Sequence, residues 1–160
     1  MKTLFRTSFF ALLTSYIVSS CTTIDLYEKS AAIPGHTWKN SYVPSFTFSI
    51  KDTNAVYQPY LIIRHNDKYG FNNIYLNLYC QAPGQPEKKI TLDLPLATDE
   101  KGWLASGMDD IYEHRIAFVI DPQILDFKKS GTYTFRTEQI MREDPLQNVM
   151  NIGLRIEKKQ

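Results

Sequence analysis

Apolar and polar residues alternate with period two along most of this chain, and that pattern sets the class of fold open to it. Phe46, Phe48 and Ile50 alternate with Thr47, Ser49 and Lys51. Ile74, Leu76, Leu78 and Cys80 alternate with Tyr75, Asn77 and Tyr79. The same holds for Ile90, Leu92 and Leu94, for Tyr133 and Phe135, and for Met150, Ile152, Leu154 and Ile156. A longer stretch runs from Ile111 through Ile116 and Phe118 to Ile120, and another from Tyr60 to His65 after Pro59. A period of two sends successive side chains to opposite faces of a strand. Turn-forming pairs separate these runs: Asn66-Asp67, Pro83-Gly84, Lys101-Gly102, Asp121-Pro122, Ser130-Gly131 and Asp144-Pro145. Only Gln123–Lys129 and Glu138–Gln147 leave room for a helical turn. The reading is all-β: a single antiparallel β-sandwich, jelly-roll-like, with one face of each sheet wet.

The N-terminus is organised differently. Lys2 and Arg6 precede an apolar run from Phe9 to Val18, which ends in Val18-Ser19-Ser20-Cys21. The run is about half the roughly 20 residues that a membrane-crossing helix needs. A basic start, a short apolar core and a small-residue exit fit a cleaved signal. An ordinary secretory signal would not require Cys at the junction, whereas a lipoprotein signal does. Residues 1–20 are therefore read as a lipoprotein signal peptide, 21–35 as a lipidated tether and 36–160 as the β-sandwich domain. Cys21 is the residue that takes the lipid. The tether, if extended, spans some tens of ångströms and holds the domain off the bilayer.

Loss of Lys2 and Arg6 turns the formal charge from +1 to −1. No basic block remains, so the electrostatic footprint of a nucleic-acid binder is missing. With Cys21 acylated, Cys80 has no partner in the chain, and stability must come from an ordinary core.

Chemistry is sparse. His36, His65 and His114 lie at no metal-ligand spacing, and no metal or cofactor is expected. His114 shares a strand parity with Tyr112 and Ile116 and reads as a partly buried structural residue. His65 follows Arg64 at a strand end, where a solvated terminus and a ligand are both open. There is no Gly-x-Ser-x-Gly elbow, Cys80 lies on an apolar face as a small hydrophobe, and Asp109-Asp110 reads as a solvated turn. Nothing points to an enzyme. Aromatic residues are the compositional lead, with ten Tyr and nine Phe. Tyr75 and Tyr79 lie on a polar strand face, and Trp38 and Trp103 lie in loop-rich segments. Exposed aromatics of this kind stack on sugars, anchor a protein partner or close the edges of a small core. An envelope glycan-binding module using Trp38 and Trp103 is the alternative to a protein-contact role.

An ordered set of short segments resembles the GldH family of gliding-motility lipoproteins of the Bacteroidota. The set begins with the Cys of the lipid site and Phe46, Phe48, Ile50 and Asp52, then Tyr57 to Arg64-His65, then Tyr69 and Asn73. It continues with Gly102, Gly107 and Asp109, then Gly131, Tyr133 and Phe135, then Met141-Arg142 and Pro145-Leu146. It closes on Gly153-Leu154-Arg155-Ile156-Glu157-Lys158. The resemblance implies an outer-membrane lipoprotein that supports gliding and the associated type IX secretion machinery through protein contacts, without catalysis or cofactor. Arg64, His65, Tyr69, Asn73, Met141 and Arg142 match the family's distinctive positions. Arg64, His65, Tyr69, Asn73 and Arg142 are the expected partner contacts, although the two arginines equally suit tying down loops of their own domain. Surface-exposed lipoproteins of this phylum carry acids just after the Cys. Here Asp25 and Glu28 are scattered, which points to the periplasmic leaflet.

Overall fold

The computed structural model describes residues 26–159, so the signal segment 1–20 and Cys21 lie outside the described residues. One sheet holds, in order, β1 (Leu26–Ala32), β13 (Val149–Lys159), β4 (Val56–Asn66), β10 (Ile111–Ala117) and β9 (Ser106–Met108). The other holds β3 (Ser45–Ile50), β11 (Gly131–Gln139), β5 (Asn73–Gln81) and β6 (Lys88–Pro95). Two small ribbons complete it, β2 (Thr37–Trp38) with β12 (Leu146–Gln147), and β7 (Ala97–Thr98) with β8 (Gly102–Trp103). Every pairing is antiparallel. With the short β9 set aside, the long strands lie first-eighth-third-sixth in one sheet and second-seventh-fourth-fifth in the other. That order is the double Greek key of a jelly roll, as the alternation led us to expect.

The inward parity of each strand builds one core. Phe46, Phe48 and Ile50 of β3 meet Ile74, Leu76, Leu78 and Cys80 of β5 and Tyr133 and Phe135 of β11. Leu61 and Ile63 of β4 and Ile152, Leu154 and Ile156 of β13 close it from the opposite sheet. Phe48 stacks on Tyr133 at 5.7 Å and touches Tyr27 of β1 at 5.2 Å, which ties the two sheets together. Ile90 and Leu92 are only half-buried because β6 is an edge strand.

Three local expectations change. The segment 21–35 is not simply a tether, because Leu26–Ala32 pairs residue by residue with β13, from Leu26 opposite Glu157 to Ala32 opposite Asn151. Residues 26–32 are thus part of the folded domain. The strand escapes sequence reading because, among its described side chains, only Tyr27 and Ala31 pack on the core. Gly153 makes the close approach possible, since a Cβ there would stand 2.4 Å from Ser30 Oγ. The stretch from Ile111 to Ile120 leaves its strand at Ala117, although Phe118 and Ile120 remain buried. Neither suggested helical turn is a helix: Glu138 and Gln139 finish β11, and Asp121 begins a turn closed by the amides of Ile124 and Leu125.

The strand directions give the sandwich two unlike ends. Leu26, Val56 and Lys159 lie at one end, with the loops 51–55 and 118–130. The loops 33–44, 66–72, 95–110 and 140–148 gather at the other.

Candidate functional site: the loop end remote from the N-terminus

The residues singled out in the sequence converge on this second end. His65 is the last inward residue of β4, in phase with Leu61 and Ile63, and His114 is the central inward residue of β10. Antiparallel register sets His65 opposite Tyr112 and His114 opposite Ile63, so the two imidazoles are diagonal neighbours. Their Nε2 atoms are 2.9 Å apart, and His65 Nδ1 lies 2.7 Å from the Asn66 carbonyl. A carbonyl only accepts, so His65 Nδ1 carries the hydrogen, its Nε2 offers a lone pair, and His114 Nε2–H donates to it. Both side chains are fully buried. Burial pushes the His65 pKa down; burial, then the neighbouring His65, pushes that of His114 to about 4, against a raising pull from the Leu104 backbone.

Aromatic rings seal the pair. Trp103 lies 4.4 Å from the His65 ring, Tyr69 5.0 Å and Tyr112 5.6 Å, centroid to centroid. Tyr69 is itself buried and donates its hydroxyl to the Asn73 carbonyl at 3.0 Å. Burial, then the charge of Glu143, raises its pKa. His65 and Tyr69 are therefore packing residues under the surface, which corrects their expected role as direct partner contacts. The imidazole nitrogens of His65 bond to His114 and to backbone, so the pair presents no base to solvent. Among the described residues no group of three or more His, Cys, Asp or Glu is placed to hold a metal.

The glycan-contact expectation is corrected at Trp38. Trp38 is fully buried and donates its indole N–H to the Tyr42 carbonyl at 2.8 Å. It offers no face for a sugar. Trp103 is half-buried against the histidine pair. On the outer face of the second sheet, Tyr79 donates to Glu138 at 2.6 Å beneath the Arg136 guanidinium, which is 4.9 Å from its ring. Tyr75 is exposed nearby.

What does reach solvent at this end is a mixed surface. Arg64 is exposed and pairs with Glu113 across the strands. Arg142 is exposed and lies over the Phe71 ring at 5.2 Å. Asn73 donates to Asp93 at 2.7 Å, which fixes its amide within its own sheet. Leu104, Met108 and Ile111 are exposed apolar residues on or beside β8, β9 and β10, with Met108 78% accessible. Met108 and Ile111 are register partners, so they are adjacent. The alternation did not reveal Leu104 and Met108, because Leu104-Ala-Ser-Gly-Met108 reads as a loop. Their only signal was an apolar Met between Gly107 and Asp109.

The sequence profile described as GldH lipoprotein matches residues 25–156. The gliding motility lipoprotein GldH of Flavobacterium johnsoniae is 25% identical over 155 residues, covering 92% of this chain and 94% of the relative. A protein of Christiangramia forsetii named as a gliding motility lipoprotein GldH homolog is 26% identical over 157 residues, covering 94% of each. No solved structure matches the chain.

Proposed function

This chain belongs to the GldH lipoprotein family, and on that premise we propose that it is a non-enzymatic, lipid-anchored part of the envelope machinery behind gliding motility. In this reading residues 1–20 are removed and Cys21 carries the lipid. The domain sits on the periplasmic face of the outer membrane and supports type IX secretion through protein contacts. The relatives' printed names support the motility role.

One observation carries the contact surface: exposed Met108 and Ile111 stand on the sheet beside the strand of exposed Arg64, with exposed Leu104 at the same end of the jelly roll, remote from residue 26. Apolar anchors flanked by polar groups are the usual makeup of a protein interface. Arg142 adds a cation at the same end. The test is in-cell cross-linking followed by purification of the lipidated protein, with Cys21→Ala and Met108→Asp as comparisons. Recovery of motility or secretion components with the wild type, and their loss in both variants, supports the proposal. Recovery of peptidoglycan or polysaccharide alone, indifferent to Met108→Asp, contradicts it.

A further inference from the structure

The end of the jelly roll that holds Leu26 has a surface of its own. An open groove of about 310 Å³ runs there between the start of β4 and the stretch after β10. Its lining includes Pro59, Phe118, Leu125 and Phe127, with Val56 and Val119 on the rim. Val119 is 83% exposed and Val56 58%, although neither is near the loop surface at the far end. Val56 and Val119 share this groove with Phe118, Leu125 and Phe127, and a joined apolar patch of this kind marks an interaction site. Lys51, Lys88, Lys128, Lys129, Lys158 and Lys159 lie at this end with Asp52, Glu87, Asp121, Asp126 and Glu157, while at the opposite one Asp67, Asp99, Glu100, Asp109, Asp110, Glu143 and Asp144 outnumber Lys39, Lys68, Lys101 and Arg142. The domain is thus polarised, with a slight excess of lysines at the Leu26 end and a clear excess of acids at the other.

The length of chain before the fold says what covers this end. Strand β1 begins at Leu26, five positions after Cys21. Five residues reach at most roughly 18 Å when fully extended. The headgroup layer takes up roughly 6 Å of that. A domain tied so closely cannot stand clear of the membrane that holds its lipid.

We propose that this end of the sandwich seats on an anionic phospholipid surface, with Val56 and Val119 among the headgroups and the lysines on the phosphates. The inference rests on Cys21 being the lipidated residue. Apolar area and basic charge act together at such a surface. The lipid alone then fixes position, and the protein surface fixes orientation, turning the Met108 end away from the bilayer.

The test uses the full mature lipidated chain, reconstituted in vesicles of phosphatidylethanolamine and phosphatidylglycerol. Environment-sensitive dyes are placed singly through Val119→Cys, Val56→Cys or Met108→Cys; Cys80 is buried and does not compete. Mass spectrometry of the N-terminal peptide is run on the same samples. The expected result is a several-fold fall in iodide quenching at 119 and 56 relative to detergent, with quenching by nitroxide-bearing lipids, and no change at 108. Lipid on Cys21 with equal iodide quenching at all three positions overturns the orientation and leaves the anchor reading standing. An unmodified Cys21 overturns both.

Discussion

His65 Nε2 accepts a hydrogen bond from His114 Nε2 across 2.9 Å, inside a pocket from which water is excluded. Both rings are held neutral there, and the bond joins β4 to β10 directly beneath the exposed Met108 surface.

Acid should therefore weaken the fold at this end. The unfolded histidines titrate near 6.5, whereas folded His114 is held down to about 4 and folded His65 is also lowered. Between those two values the unfolded chain binds protons that the folded chain does not, so stability falls as pH falls through the window. Above it nothing is lost. For His114 alone the loss is on the order of 3 kcal/mol. His114→Gln keeps a donor toward His65 and removes one titration, and should flatten the curve. Urea unfolding across this range measures it; identical slopes in both proteins would contradict the assignment.

Trp38 should behave as a core residue. Trp38→Ala removes a fully buried indole and its bond to the Tyr42 carbonyl, at a cost of about 3–5 kcal/mol. Thermal unfolding reads the loss. A variant as stable as the wild type, with altered glycan retention, would restore the sugar-binding role that its burial argues against.

At Gly153 the constraint is steric. A Cβ there meets Ser30 Oγ at 2.4 Å and the Lys29 carbonyl at 3.0 Å. Gly153→Ala should loosen β1 at a cost of about 1–3 kcal/mol. Hydrogen exchange should show the β1 amides losing protection first, with Ser30→Gly recovering part of it. Uniform loss across both sheets would contradict the local account.

The Cys80 thiol should be inert in the folded protein. Burial, and then the charge of Glu87, pushes its pKa up to about 12. Maleimide labelling at neutral pH should proceed only after unfolding, and rapid labelling of the native domain would contradict this.

How much of this was legible beforehand depended on whether a strand faces the core. Phe46, Phe48 and Ile50 announced β3 because their whole inward face is apolar. Leu26–Ala32 gave no such signal, because it is an edge strand held largely by its backbone pairing with β13. His114 shares the parity of Tyr112 and Ile116, which announces its burial, whereas the place of His65 at a strand end points to solvent or a ligand although it is in phase with Leu61 and Ile63. Their meeting was not legible, since it depends on the register of β4 against β10. Met108 was invisible for the opposite reason: it is an exposed apolar side chain in a segment without alternation.

The central claim is that the chain works by protein contacts at the end of the jelly roll remote from its anchor. Met108 and Arg142 are both exposed there, so Met108→Asp with Arg142→Glu should shift stability by only about 0.5 kcal/mol each. The decisive measurement is colony spreading in cells whose spreading requires this chain, with protein level and lipid attachment followed alongside. The account predicts that the double variant is made, lipidated and folded, yet spreading is lost. Spreading equal to the wild type would contradict it.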